Sequence, residues 1–240
     1  MGDIVSDALP SDGGKTARAR FKPIWAFYAL LTLFLIIVLA FVIFRPILVL
    51  PRITLAPGYA LTDQDDNRLT NEDMRGKIVL YNITHTSCEP PCAKTSDTMK
   101  AVQARLDEIN TGAVPIEFVT ISLDPETDTP EVLRAYADSL DADLNQWHFV
   151  SGPLDRLKLV VGGGFDVYFD HKEDGRLVYD PALMLVDGLG ILRAEYITGD
   201  PGADRILRDI AFILDEVENS EGANKVAYEA AHLFMCYPRG

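Results

Sequence analysis

The chain is poor in cysteine and in basic residues. Among its 240 residues are three cysteines, and 22 Lys and Arg stand against 36 Asp and Glu. From Ile53 onward the count is 16 basic and 33 acidic residues, which gives a net charge of −17. A surface this acidic would repel a phosphate backbone, which excludes nucleic acid as a partner. Its simplest role is to keep the protein soluble.

A long uncharged run marks the N-terminal region. Residues 24–44 contain no charge and are rich in Leu, Ile, Val and Phe, which predicts a transmembrane helix. More basic residues precede this run than follow it. We therefore expect residues 1–23 to form a cytoplasmic tail, with the rest of the chain outside the cytoplasm at the plasma membrane. No small-residue cleavage site follows the run, so an uncleaved anchor is favoured over a signal peptide.

The rest of the chain is expected to form one domain with two appendages. A hydrophobic fraction of 48% is sufficient for a full core. Residues 45–56 are interrupted by prolines, which predicts a short stiff linker. We assign residues 57–217 to the domain and residues 218–240 to a C-terminal tail, whose apolar residues follow a loosely helical pattern.

The order of predicted elements indicates an α/β fold. A strand–helix–strand half precedes a half made of a hairpin and a helix, which is the thioredoxin-like arrangement, here with an extra N-terminal hairpin. The predicted elements are, in chain order, a hairpin at 59–70, a strand at 77–84, a helix opening at Pro90, a strand at 116–123, a helix from Thr129 through Leu140, a strand at 147–150, a helix near 154–161, a flexible break at 162–164, a hairpin at 181–197 and a helix from Pro201 to about Val217.

Two of the three cysteines stand four residues apart where an apolar strand gives way to a helix. Cys88 and Cys92 flank Pro90 and Pro91, and prolines suit the first turn of a helix. Both sulfurs are therefore expected near the helix N-terminus, where partial positive charge favours thiolates. Two such thiolates can form a disulfide, bind a soft metal such as Cu(I), or alternate between the two. We expect Cys236 to stay outside this pair.

Four stretches of the sequence resemble the SCO/SenC family of membrane-anchored, thioredoxin-like proteins that help load copper into cytochrome c oxidase. The resemblance covers about residues 57–217. It implies that Cys88 and Cys92 bind copper, as Cu(I) and secondarily as Cu(II), for delivery to a cytochrome oxidase subunit. The stretches are 61–65 with 74–77, Thr-Ser-Cys-Glu-Pro-Pro-Cys at 86–92, Ser-Leu-Asp-Pro-Glu-Thr-Asp-Thr-Pro at 122–130, and Phe-Asp-Val-Tyr at 165–168.

The sequence departs from that family at the third copper ligand, which the resemblance implies is a histidine. Counting back from the strand that follows, its position falls on Tyr179, or on Asp180 if the register slips by one residue. Phenol and carboxylate are harder ligands than imidazole, so copper affinity should be lower. His85 or His171 would have to supply a third ligand instead. Ala93 also replaces the proline that usually follows the second cysteine.

Two other functions are compatible with the sequence. In a thiol–disulfide oxidoreductase, Cys88 would attack a partner's disulfide and Cys92 would resolve the mixed disulfide. Pro181, before the strand that faces the dithiol, would then be the cis-proline of such enzymes, although a trans proline fits equally. The third hypothesis is a non-catalytic accessory subunit of a membrane respiratory complex. His148 is interpreted as a structural residue. His232 stands four residues before Cys236, which would allow a metal pair, but a tail helix that packs on the domain or on a partner is the favoured interpretation.

Overall fold

The N-terminal part of the chain forms one helix. In this computed structural model the chain divides into two compact units, Met1–Pro46 and Ile47–Gly240. Helix α1 covers Pro23–Phe44, and its large apolar side chains from Ile24 to Leu39 are exposed. Within the described part of the chain, no helix combines the length and the apolar character that crossing a membrane requires, so the transmembrane helix expected at 24–44 is not confirmed. The structure describes residues 23–44, 48–88, 93–112, 114–197, 201–220, 225, 228, 229, 231 and 232.

The second unit is built from strands and helices in the predicted order. Its helices are α2 (Ala93–Gln103), α3 (Pro130–Ser139), α4 (Leu154–Leu157) and α5 (Ala203–Glu218). Its strands are β1 (Thr54–Leu55), β2 (Ala60–Asp63), β3 (Arg68–Thr70), β4 (Ile78–Thr84), β5 (Ile116–Ser122), β6 (Trp147–Ser151), β7 (Phe169–His171), β8 (Leu177–Tyr179), β9 (Ala182–Val186) and β10 (Ile191–Tyr196).

A mixed sheet organises these elements. The strand order is β1-β10-β9-β4-β5-β6-β2-β3, and β7 pairs with β8 in a separate hairpin. Strands β4, β5 and β6 run parallel, whereas β9 and β10 are antiparallel neighbours on the other side of β4. The α/β, thioredoxin-like arrangement with an N-terminal hairpin is therefore confirmed, and the helices α2 and α3 make the crossovers between the parallel strands.

Strand β4 is buried on both faces. Its side chains alternate, so Leu80 enters a core with residues of α2, α3 and α5. Tyr81 enters a second core on the opposite face, where it packs against Phe165 with ring centroids 5.3 Å apart. Burial on both faces explains why this strand reads as a continuous apolar run rather than an alternating one.

Two local expectations were wrong, and one hairpin was not expected. The segment Lys158–Gly164 continues as wider π-helical turns, because the N–H of Phe165 donates to the carbonyl of Val160 at 3.0 Å, so the glycines are no flexible break. Gly164 is needed for another reason: a Cβ there would lie 2.3 Å from Pro57. Strand β1 lies inside the predicted linker 45–56, and the hairpin of β7 and β8 was not predicted.

The C-terminal tail packs on the domain through its described residues. Tyr228 and Ala231 are buried, and the hydroxyl of Tyr228 donates to the carboxylate of Asp215. His232 lies 2.8 Å from Glu216 through its Nε2 atom. His232 thus joins the tail to α5. Cys236 lies outside the described residues.

Arg193 on β10 is a fully buried cation. Its side chain is 2% exposed, and its guanidinium contacts Asp187 at 2.9 Å and Glu216 at 2.5 Å. It also donates to the carbonyls of Leu50 at 2.8 Å and Pro51 at 3.2 Å. The cation therefore joins β10, α5 and the segment before β1.

Replacing Arg193 should destabilise the second unit strongly. Arg193→Leu leaves the buried carboxylate of Asp187 without its cation and removes one of the two cations beside Glu216, which keeps Arg52 at 3.0 Å. We therefore expect the free energy of unfolding to fall by ~3–5 kcal/mol in a urea titration. The control is Arg176→Leu, because the side chain of Arg176 is 75% exposed and pairs with Asp174. That change should cost less than ~1 kcal/mol. Equal losses in the two variants would contradict the assigned role of Arg193.

Candidate functional site

Cys88 lies at the carboxyl edge of the parallel strands. Strand β4 ends at Thr84, and the loop that follows turns back so that the N–H of Cys88 donates to the carbonyl of His85 at 3.4 Å. The described part of the next helix begins at Ala93. Cys88 is disulfide-bonded. Cys92 and Cys236 lie outside the described residues, so the predicted pairing of Cys88 with Cys92 stays a prediction.

Tyr179 is the residue that faces Cys88. Its hydroxyl oxygen lies 2.9 Å from the sulfur of Cys88 and 2.9 Å from the hydroxyl of Thr84. Burial raises the pKa of the Tyr179 phenol, and the nearby Thr84 hydroxyl only partly opposes this, so the phenol stays protonated. Asp180 is exposed, and its N–H donates to the carbonyl of Tyr168 at 3.1 Å. The contact with Cys88 is thus made by Tyr179.

Asp128 anchors the loop that carries Cys88. It is 2% exposed and follows β5, the parallel neighbour of β4. Its carboxylate accepts hydrogen bonds from the N–H of Thr86 at 3.0 Å and from the Thr86 hydroxyl at 2.6 Å. The hydroxyl of Ser122 donates to the same carboxylate. Three donors compensate the burial of this charge, and two of them belong to the cysteine loop.

The segment 122–130, which resembles the SCO/SenC family, also has a local structural role. The N–H groups of Thr127 and Asp128 both donate to the carbonyl of Asp124, which forms a tight turn. Thr129 then caps α3 by accepting from the N–H of Val132, and Pro130 occupies the first helical position. The turn and the cap together hold Asp128 at the sheet edge.

Two histidines lie beside Tyr179 and differ in their contacts. The His85 ring packs edge-on against the Tyr179 ring with centroids 5.5 Å apart, and its Nδ1 atom lies 3.0 Å from the Ser87 hydroxyl. Burial lowers the pKa of His85. The carboxylates of Asp128 and Asp124 act in the opposite direction, and His171 lowers the pKa of His85 further. His171 ends β7, on the same hairpin as Tyr179, and its buried Nδ1 atom has no hydrogen-bond partner among the described residues.

The remaining predicted residues have other surroundings. Pro181 is partly buried directly before β9, and its proposed role as a cis-proline stays a prediction. The Nε2 atom of His148 lies 3.2 Å from Glu117, which also pairs with Lys77 at 3.1 Å, so His148 belongs to a structural ion-pair group. Across the described residues, no three His, Cys, Asp or Glu side chains converge as a metal site.

Sequence reasoning missed two groups that complete the site. Thr84 was assigned only to a strand, and Asp128 only to a motif. A signal existed for Thr84, because a polar residue at the end of a continuous apolar strand seldom lacks a hydrogen-bonding role. The partner of Thr84 comes from β8, whose short alternating pattern gives no strong strand signal.

Comparison with known proteins gives one consistent result. The family described as SCO1/SenC matches residues 51–214. A "SCO1 protein homolog" of Bacillus subtilis (strain 168) is 26% identical over 94 residues, which are 39% of this chain and 47% of that protein. The chain thus matches about half the length of that relative.

Two further alignments cover a larger share of the matched protein. A "Putative copper-binding protein" of Stutzerimonas stutzeri is 27% identical over 169 residues, 70% of this chain and 81% of that protein. The solved structure of BsSco, described as a member of the Sco family of cytochrome c oxidase assembly proteins, is 20% identical with a TM-score of 0.57. That alignment covers 69% of this chain and 96% of the other, and it supports the fold.

We predict that the disulfide of Cys88 is formed with Cys92. The two residues are four apart in one loop, whereas Cys236 lies in the tail. Peptide mapping of the non-reduced protein should recover a single short peptide with an internal disulfide, and Cys236 should react with an alkylating reagent before reduction. A main species that links Cys236 to either cysteine would overturn the pairing.

We further predict that Asp128→Asn loosens the cysteine loop. An amide nitrogen cannot accept a hydrogen bond, so at least one of the three donors loses its acceptor, at a cost of ~1–3 kcal/mol in unfolding free energy. Hydrogen exchange at the Thr86 amide should become faster. The matched control is Glu126→Gln, in the loop after β5 that also carries Asp128. Glu126 is exposed, so this change should alter the unfolding free energy by less than ~0.5 kcal/mol. Unchanged exchange at Thr86 in Asp128→Asn would refute the anchoring role.

Proposed function

Because the chain belongs to the SCO1/SenC family, as its motifs predicted, we propose that it is a copper-handling assembly factor for a cytochrome oxidase. In this proposal Cys88 and Cys92 hold Cu(I) between their sulfurs and pass it to a copper site of an oxidase subunit. The observation that carries the proposal is the location of Cys88, at the carboxyl edge of the parallel strands in the family's Cys-x-x-x-Cys loop. Copper is the cargo of this reaction, not a permanent cofactor.

The donor set favours Cu(I) over Cu(II). Cysteine sulfurs are soft donors that select Cu(I), and two of them are sufficient for near-linear coordination. The Tyr179 hydroxyl oxygen lies 2.9 Å from the Cys88 sulfur, and burial raises the pKa of that phenol. A protonated phenol is a poor ligand. Cu(II) prefers a nitrogen partner beside thiolate, and His85 and His171 are the candidates for that partner among the described residues.

Similarity to named proteins supports the same proposal. The Stutzerimonas stutzeri relative is described as copper-binding, and BsSco as a member of a family of cytochrome c oxidase assembly proteins. The disulfide of Cys88 supports an oxidising compartment outside the cytoplasm. There a reductant must open the disulfide before copper binds. The partner would be a subunit of a membrane respiratory complex.

Thiol–disulfide exchange is the second candidate function, and the contact of Tyr179 with Cys88 favours it, because the phenol takes the place that a third metal ligand would need. In this reaction the Cys88 thiolate would attack one sulfur of a partner's disulfide, and the other partner sulfur would leave as a thiolate. Cys92 would then attack the Cys88 sulfur, re-form the internal disulfide and release the reduced partner. Two electrons pass to the partner.

We predict that the reduced full chain binds one Cu(I) through its dithiol and binds Cu(II) only weakly. Anaerobic titration with a competing chelator should give one Cu(I) per chain, and Cys88→Ser and Cys92→Ser should each abolish this binding. Tyr179→His should strengthen Cu(II) binding by roughly a hundredfold, given that even partners of metal ligands contribute 10–100-fold. A thiolate-to-copper charge-transfer band should appear in that variant.

The matched control is Asp180→His, because this neighbouring side chain is exposed. It should leave Cu(II) affinity unchanged. Equal Cu(I) binding in the parent and in Cys88→Ser would refute the copper proposal. If no variant binds copper while the reduced parent opens disulfides in a Cys88-dependent reaction, thiol–disulfide exchange becomes the assigned function.

A further inference from the structure

We propose that Tyr179 is a positioning residue that makes the Cys88 disulfide easier to reduce, by donating a hydrogen bond to the Cys88 sulfur. The distance from the hydroxyl oxygen to the sulfur is 2.9 Å. The inference rests on the proposed function in one respect, because it takes Cys88 as the redox-active cysteine. It applies equally to copper loading and to thiol exchange, since both begin with the reduced dithiol.

The direction of this hydrogen bond follows from the chemistry of the two groups. Cys88 is disulfide-bonded, and a disulfide sulfur carries no proton. The hydroxyl of Tyr179 must therefore be the donor. Having used its only proton, it can accept from the hydroxyl of Thr84, which lies 2.9 Å away. The alternative acceptor for Thr84, the carbonyl of His85, is more distant at 3.5 Å. The order of donation is Thr84 to Tyr179 to Cys88.

The surrounding elements hold this hydroxyl in place. Thr84 is buried at the end of the central strand β4, and Tyr179 lies opposite Phe169 in the β7–β8 hairpin. The His85 ring packs edge-on against the Tyr179 ring. The Tyr179 hydroxyl is therefore held by the end of β4, by its hairpin partner and by a ring contact. It loses little conformational entropy when reduction makes the Cys88 sulfur a stronger acceptor.

The same donor stabilises the two redox states unequally. A disulfide sulfur is a weak acceptor, whereas the sulfur of a reduced cysteine with thiolate character is a strong one, because hydrogen bonds to charged acceptors are the stronger kind. Reduction by glutathione converts the disulfide and two glutathione thiols into the dithiol and one glutathione disulfide, with transfer of two electrons and two protons. The donated hydrogen bond therefore shifts this equilibrium toward the dithiol.

The experiment is a glutathione redox titration of the full chain with metals removed by a chelator. Tyr179→Phe keeps the ring and removes the hydroxyl, so we expect the equilibrium constant for reduction to fall about tenfold, a potential ~30 mV more negative. Thr84→Val should shift it in the same direction by a smaller factor, because it removes only the donor that orients Tyr179. The matched control is Tyr168→Phe, an exposed tyrosine before the same hairpin, which should leave the potential unchanged.

Two outcomes would overturn the inference. One is a Tyr179→Phe potential equal to that of the parent, and the other is an equal shift in Tyr168→Phe. Urea unfolding of the oxidised proteins separates a packing loss from a redox effect, since lost packing would lower the stability of the oxidised form while the proposed effect acts on the reduced form. The redox titration contains no copper. If the Tyr179→Phe shift in potential is observed but the parent fails to bind copper in a separate titration, only the copper proposal is refuted.

Discussion

The pairing of β4 constrains the rest of the domain. This strand bonds to β5 on one side and to β9 on the other, and it buries alternate side chains in two separate cores. A slip by one residue would exchange those two cores, so the register is firmly fixed. Thr84 ends the strand and Cys88 follows in the next loop. The hydrogen bonds that define the sheet therefore also set the place of the Cys88 sulfur.

Two long-range contacts hold the cysteine loop from different sides. Thr86 donates to Asp128, which is 42 residues away in sequence, and Cys88 meets Tyr179, which is 91 residues away. The first contact compensates a buried charge, and the second directs a protonated phenol at the sulfur. Neither group is a soft metal donor. The chain thus keeps the family's loop while it places a hydrogen-bonding hydroxyl beside the sulfur.

The phenol of Tyr179, at a position where the resemblance implies a histidine, links the two candidate functions. A dithiol without a nitrogen ligand still suits Cu(I), because two sulfurs satisfy that ion, but it suits Cu(II) poorly. The same phenol favours the reduced dithiol on which both functions depend. His85 and His171 remain close to the hairpin, yet within the described residues they do not complete a group of three metal-binding side chains with Cys88.

The sequence by itself determined the central strand, the start of α3 at Thr129 and Pro130, and the family, because continuous apolar runs, caps and motif spacing act over a few residues. Counting back from the strand β9 also pointed to Tyr179 or, with a register slip, to Asp180. Only the tertiary structure decided that Tyr179 meets Cys88 while Asp180 is exposed, and that Asp128 binds the cysteine loop. The contacts of Tyr179 and Asp128 join segments far apart in the chain, so they depend on strand order and on a short hairpin that local pattern does not reveal.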